Sequence, residues 1–259
     1  MGAMRSWEWT VVACLAAAGG GFGCDKEATK AGADASPAAA PSAAPKAETP
    51  PPPEPPRAPA ITVDDHTCTV DGTVFSESLA DWSEQAAALL AKKPLVAGEA
   101  VVINAMRDAK APRVERLVAA LAIAKAKSVI IRSPTRDQST GELHLTFAHA
   151  GVPDCSAVAF IEHDGAVAVW NKGGSGAQRF ARGMAGPDLT SSTDALRKHA
   201  ASCDSPLWYL GGADTVTWGL MFDLAMRARG GAEAGSTLRP TEAVLLTHAP
   251  VPGRRLPEE

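Results

Sequence analysis

The sequence predicts an α/β protein of the α+β kind: two small tandem domains, each with the order β-β-α-β-α-β, a mixed sheet and its helices on one face. Three observations carry that expectation. Over residues 100–133 a β-branched run (Val101, Val102, Ile103) leads to Pro112. An amphipathic run follows, with Val114, Leu117, Val118, Leu121 and Ala124 at helical spacing, and then Val129, Ile130 and Ile131. Periods of two, of about 3.6 and of two again spell strand, helix, strand. A similar succession returns near the C-terminus, where Leu207-Trp208-Tyr209-Leu210 precedes a helical stretch over 218–229 and the apolar run Ala243-Val244-Leu245-Leu246.

Composition bounds what such a protein does. The apolar share of 46% is enough for a packed core but is unevenly spread, so the 259 residues overstate the folded part. The net charge of −4, with no basic run, argues against a nucleic-acid partner. A single Tyr and 5% aromatic residues argue against a stacking platform for bases or sugars.

Residues 1–24 read as an export signal: Arg5 supplies a positive charge, Val11 opens an apolar stretch, and small residues lead to Gly23-Cys24. The stretch is far shorter than the roughly 20 residues of a spanning helix. Gly23-Cys24 resembles the end of a bacterial lipobox, which would make Cys24 the lipidated first residue of the mature chain. Gly21 stands where a lipobox usually has Leu, and an ordinary cleaved signal or an uncleaved anchor are the alternatives. Asp25, next to the lipid, leans toward retention in the inner membrane. Residues 25–60 are rich in Ala, Pro, Lys and Glu and have almost no large apolar side chains, so they are expected to be a disordered tether.

The first domain is expected over residues 61–133. Ile61 to Asp71 alternates as one strand, Asp71-Gly72 is a hairpin turn signal, and Thr73-Val74-Phe75 starts the return. A helix over 78–91, capped by Ser76 or Ser78, ends before Pro94. Residues 134–156 form a connection containing one extra strand around Leu143, Leu145 and Phe147. The second domain covers 157–249, with a hairpin around His163-Asp164-Gly165, a helix opening at Ser191-Ser192-Thr193-Asp194 and the strand–helix–strand already described. The Gly-rich insertions at 171–188 and 230–241 are expected to be loops, and 250–259 a tail.

The order resembles the periplasmic domain of the ExbD/TolR family of biopolymer-transport proteins. Val70-Asp71-Gly72, Val101-Val102-Ile103-Asn104-Ala105 and Val129-Ile130-Ile131-Arg132 match the family's hairpin and strand patterns. Trp218-Gly219 followed by Asp223 matches the aromatic-Gly opening and Asp of its last helix. Two copies in tandem imply an internal duplication. The resemblance implies contact with envelope proteins of a proton-driven transport complex, contact with peptidoglycan, or self-association as a homodimer. Trp218, Gly219 and Phe222 are its favoured binding surface, with burial in the core as the competing reading. Proton conduction is not implied, since the family's membrane-embedded Asp has no counterpart between Thr10 and Gly23.

If Cys14 is removed with the signal and Cys24 is lipidated, Cys68, Cys155 and Cys203 remain. An oxidising compartment favours one disulfide and one leftover thiol. Cys155 and Cys203 belong to the same unit, one before its first strand and the other just before its third, and are the expected pair, with Cys68 read as a buried strand residue. No catalytic constellation emerges: Gly173-Gly174-Ser175-Gly176-Ala177 lacks the closing Gly of a nucleophile elbow, and no phosphate-binding loop is present. His144 and His149 would fall on opposite faces of a strand, so no metal is expected. The sequence thus points to a non-enzymatic, cofactor-free lipoprotein of the periplasm, accessory to an ExbD/TolR-type system. A structural peptidoglycan-binding lipoprotein is the alternative, and a secreted hydrolase or redox enzyme the more distant one.

Overall fold

Eleven strands form one mixed sheet in the order β3-β2-β1-β4-β5-β6-β11-β10-β7-β8-β9. The strands are β1 (Ile61–Val63), β2 (Thr67–Val70), β3 (Thr73–Ser76), β4 (Ala100–Ala105), β5 (Ser128–Pro134), β6 (Thr140–Leu145), β7 (Ala157–Ile161), β8 (Val167–Asn171), β9 (Gln178–Phe180), β10 (Leu207–Gly212) and β11 (Glu242–Leu245). The helices are α1 (Trp82–Leu90), α2 (Ala111–Ile123), α3 (Leu189–Ala201) and α4 (Trp218–Gly230). The computed structural model describes residues 57–76, 81–147, 151–230 and 242–257. All of them belong to one unit, Pro53–Glu259. Cys24, Asp25, most of the expected tether and His149 lie outside the described residues.

The α/β class is as expected, and the same order stands twice. In each half, three antiparallel strands are followed by helix, strand, helix and strand, and the last two strands lie parallel to the first. One residue offset carries Ala100–Ala105 onto Leu207–Gly212 and Ala111–Ile123 onto Trp218–Gly230. Strand order and direction reverse together across the middle of the sheet, so an approximate two-fold axis normal to the sheet relates the halves. Such a rotation keeps all helices on one face. Accordingly α1 packs on α2, α2 meets α4, and α4 packs on α3.

Each half has one strand more than the expected β-β-α-β-α-β. In the first half, the run from Ile61 to Asp71 is broken by a turn. The Asp64 carboxylate accepts from the His66 and Thr67 backbone amides (2.9 and 2.6 Å), which reverses the chain between β1 and β2. Asp71 and Gly72 then turn β2 into β3 with φ of 47° and 80°, both in the left-handed region that a type I′ hairpin requires. In the second half, the insertion read as a loop contains β9. Its Arg179 pairs with Glu162 (2.6 Å) and with Asp164. Helix α3 starts at Leu189, two residues before the expected opening, because the Asp188 carboxylate caps the Ser191 amide at 3.0 Å.

Strand β6, the expected extra strand, holds the halves together: it runs antiparallel to β5 and parallel to β11. One apolar core runs through both halves, from Ile61 and Trp82 to Trp208 and Leu246. On the side away from the helices the halves differ. The second half is covered by the chain after β11, where the Trp170 indole donates to Arg254 O (3.1 Å) and Leu256 is buried. In the first half, Val74, Thr69, Thr62, Asn104, Arg132 and Glu142 form one cross-strand row.

Candidate functional site

The loops after β4 and β10 meet at the two-fold axis. Lys110 and Thr217, which correspond under the offset, bridge each other in antiparallel fashion. Two equivalent hydrogen bonds flank them: Ala111 N–H to Val216 O (2.9 Å) and Trp218 N–H to Ala109 O (2.6 Å). This is the self-complementary geometry of a two-fold dimer interface, built within one chain.

Trp218, Gly219 and Phe222 belong to this junction, and the structure does not make them a binding surface. Trp218 and Phe222 are 0% exposed, with ring centroids 6.1 Å apart. Their spacing turns both rings into the core between α4 and the sheet, where their apolar area is removed from water. Gly219 donates its N–H to Arg107 O at 2.8 Å, and a Cβ there would lie 2.8 Å from that oxygen and 2.9 Å from Arg107 Cβ. Only a residue without a side chain admits so close a backbone.

Asp223, one turn on, completes the cradle. The Arg107 guanidinium donates to Oδ1 (2.9 Å) and Oδ2 (2.8 Å), and Arg136 Nε donates to Oδ2 (2.6 Å). Arg107 also donates to Pro134 O at 3.0 Å. Burial pushes the Asp223 carboxyl up, but the two guanidinium groups outweigh it and hold it below its ordinary range. Asp223 is therefore a buried ion-pair partner joining the halves.

Cys155 and Cys203 are bonded as expected, with Cα atoms 5.4 Å apart; the bond ties the chain before β7 to the end of α3. Cys68 is free and buried on β2, and burial pushes its thiol up to about 12. A groove of about 530 Å³ opens beside Asp223, lined by Arg136, Arg197 and Arg227 against Asp137 and Asp194. Its arginines are engaged: Arg136 with Asp223, Arg197 with Ala228 O, and Arg227 with Thr190 Oγ1.

The second cleft, about 300 Å³, is chemically more specific. It lies beyond the carboxyl ends of β7, β10 and β11 and is roofed by α2 of the other half. Ends of this kind are where open parallel sheets place ligands. Pro112, Glu115, Arg116 and Ala119 form the roof. Gly212, Ala213 and Asp214, His163 on the β7–β8 turn, and Thr247 with His248 form the rim. Glu115 is 8% exposed, and its Oε1 has no hydrogen-bond partner. Burial pushes its carboxyl up to about 8, against the opposing pull of the Gly212 amide and Arg116. His163 Nδ1 sits 3.0 Å from Asp214 Oδ1, both exposed, and His248 Nδ1 is 2.8 Å from Thr247 Oγ1. Among the described residues no three His, Cys, Asp or Glu side chains are placed to hold a metal ion.

Sequence reasoning missed this cleft, although one signal was available. Glu115 lies at the edge of the apolar stripe of α2, next to Val114, and is an acid buried with it. The rim residues carry no such signal, since three separate loops bring them together.

Comparison with known protein families, with curated proteins and with solved structures finds no match for this chain.

Proposed function

We propose that this chain is a lipid-anchored protein of the bacterial cell envelope, facing the periplasm. In this reading its folded unit binds rather than catalyses, as an accessory of an ExbD/TolR-type biopolymer-transport or envelope-maintenance system. The observation that carries the reading is the recurrence of strands, helix, strand, helix and strand in both halves. That is the pattern on which the resemblance to the periplasmic ExbD/TolR domain rests. A duplicated and fused pair would keep within one chain the self-association that the resemblance implies. The Cys155–Cys203 bond supports export, because such bonds persist in oxidising compartments. Lipidation at Cys24 and the Pro-rich tether would supply attachment and reach.

Crosslinking in intact cells, followed by recovery of the tagged protein and mass spectrometry, tests the partner. Recovery of an ExbB/TolQ-like or ExbD/TolR-like membrane protein is the expected result. Recovery of cell-wall fragments alone would contradict it and favour the peptidoglycan-binding alternative.

A further inference from the structure

We propose that the cleft under α2 binds a small ligand through a carboxylate group, with Glu115 as hydrogen-bond donor and Arg116 as counter-charge. The inference stands on the cleft alone and does not depend on the envelope role.

Three observations lead there. First, Glu115 is more than nine-tenths buried, it lines the cleft, and its Oε1 is buried without a hydrogen-bond partner. A buried polar group left unpaired is destabilising, so a ligand group that pairs with it is favoured. Second, the two halves supply an internal comparison. The offset that superposes α2 on α4 puts Phe222 where Glu115 stands. Phe222 closes its space against Gly141, where a Cβ would come within 3.0 Å of the ring. A buried apolar ring fills this position in one half, and an acid that lines the cleft takes it in the other. Third, the volume lies at the small end of the range for ligand sites, which suits a compact group rather than a polymer.

The charges select the ligand. The titratable and charged groups around Glu115 are Arg116 on its own helix, His163 on the β7–β8 turn, Asp214 after β10 and His248 after β11. Burial keeps Glu115 protonated at neutral pH, so it presents an O–H and needs an acceptor. A carboxylate offers one oxygen to that O–H and the other to Arg116, with a single negative charge. A phosphate dianion would bring a second charge toward Asp214, and a neutral amide would leave the guanidinium without a counter-ion.

The test uses the full chain purified in detergent, titrated with acetate, lactate and N-acetylglycine, with acetamide and inorganic phosphate for comparison. Backbone amide shifts of Gly212, Ala213 and Asp214 give the site, and their concentration dependence gives Kd. The carboxylates are expected to move these amides, with Kd rising about tenfold from pH 7 to pH 9 as the competent, protonated fraction falls. Glu115→Gln keeps a donor that does not titrate, so its affinity should lose that dependence. The two proteins share every other group, so the difference belongs to Glu115. Arg116→Gln, at an exposed position, should weaken binding about tenfold at every pH. If Glu115→Gln does not fold, the wild-type profile and Arg116→Gln decide. Unmoved amides, binding of acetamide or phosphate equal to that of the carboxylates, or a flat wild-type profile would each overturn the proposal.

Discussion

Gly219 and Glu115 show how single positions fix this molecule. At Gly219 the backbones of the two halves approach so closely that Gly219→Ala must push Arg107 aside. Overpacking of this kind costs about 1–3 kcal/mol. Chemical denaturation should therefore give a lower midpoint with an unchanged slope. Glu115 makes a different prediction. Its folded-state carboxyl titrates near 8 and its unfolded one near 4.5, so the folded state holds the extra proton between those values. The stability it contributes is fully present below the lower value and is lost as pH rises through the upper one, at about 1.4 kcal/mol per pH unit. The melting temperature of the wild type should fall from pH 5 to pH 8 relative to that of Glu115→Gln. Parallel curves for the two proteins would contradict a buried, protonated Glu115.

The elements explain what the sequence conveyed and what it hid. Strands β4, β5, β7, β8 and β10 and helices α2 and α4 were legible, because each carries an unbroken apolar period that packing then rewards. The breaks were harder. The run from Ile61 to Asp71 alternates throughout, and only the Asp64 carboxylate folding back on two amides divides it. Strand β9 has one partly buried residue, Phe180, and is held at the sheet edge by pairing to β8 and the ion pairs of Arg179, none of which leaves a period. The motif Trp218-Gly219 with Asp223 was visible, but its role was not. Burial and a close backbone approach depend on Arg107, more than a hundred positions away in the chain. The Cys155–Cys203 pair was legible because both cysteines belong to one unit, one before its first strand and the other before a later one. It closes a separation of 48 residues, which in the chain-entropy model stabilises the fold by about 4 kcal/mol. Replacing both residues by Ser should lower the melting temperature, with stability changed by about 2–4 kcal/mol. An unchanged melting temperature would mean that the bond does not form in solution.

At the scale of the whole molecule, β6 and the reciprocal hydrogen bonds at the two-fold axis make two halves of similar element order share a sheet and a core. Strands from both halves pair with β6, and Arg107 and Arg136 of the first half neutralise Asp223 of the second. Neither half can open without exposing the other, so calorimetry should record one unfolding transition for the described unit. Two separated transitions would mean that the halves fold independently. A joined pair of this kind holds clefts and faces of both halves in fixed relation. The cleft under α2, roofed by one half and floored by the other, is the clearest instance.

The central claim, residence in the cell envelope on a lipid anchor, is tested most directly by the intact mass of the protein extracted from membranes of the native cell. The account predicts a chain that begins at Cys24, carries the added mass of lipid on that residue, and lacks the two hydrogens removed by the Cys155–Cys203 bond. A soluble chain that still contains residues 1–23, bears no lipid and has all its cysteines reduced would contradict it.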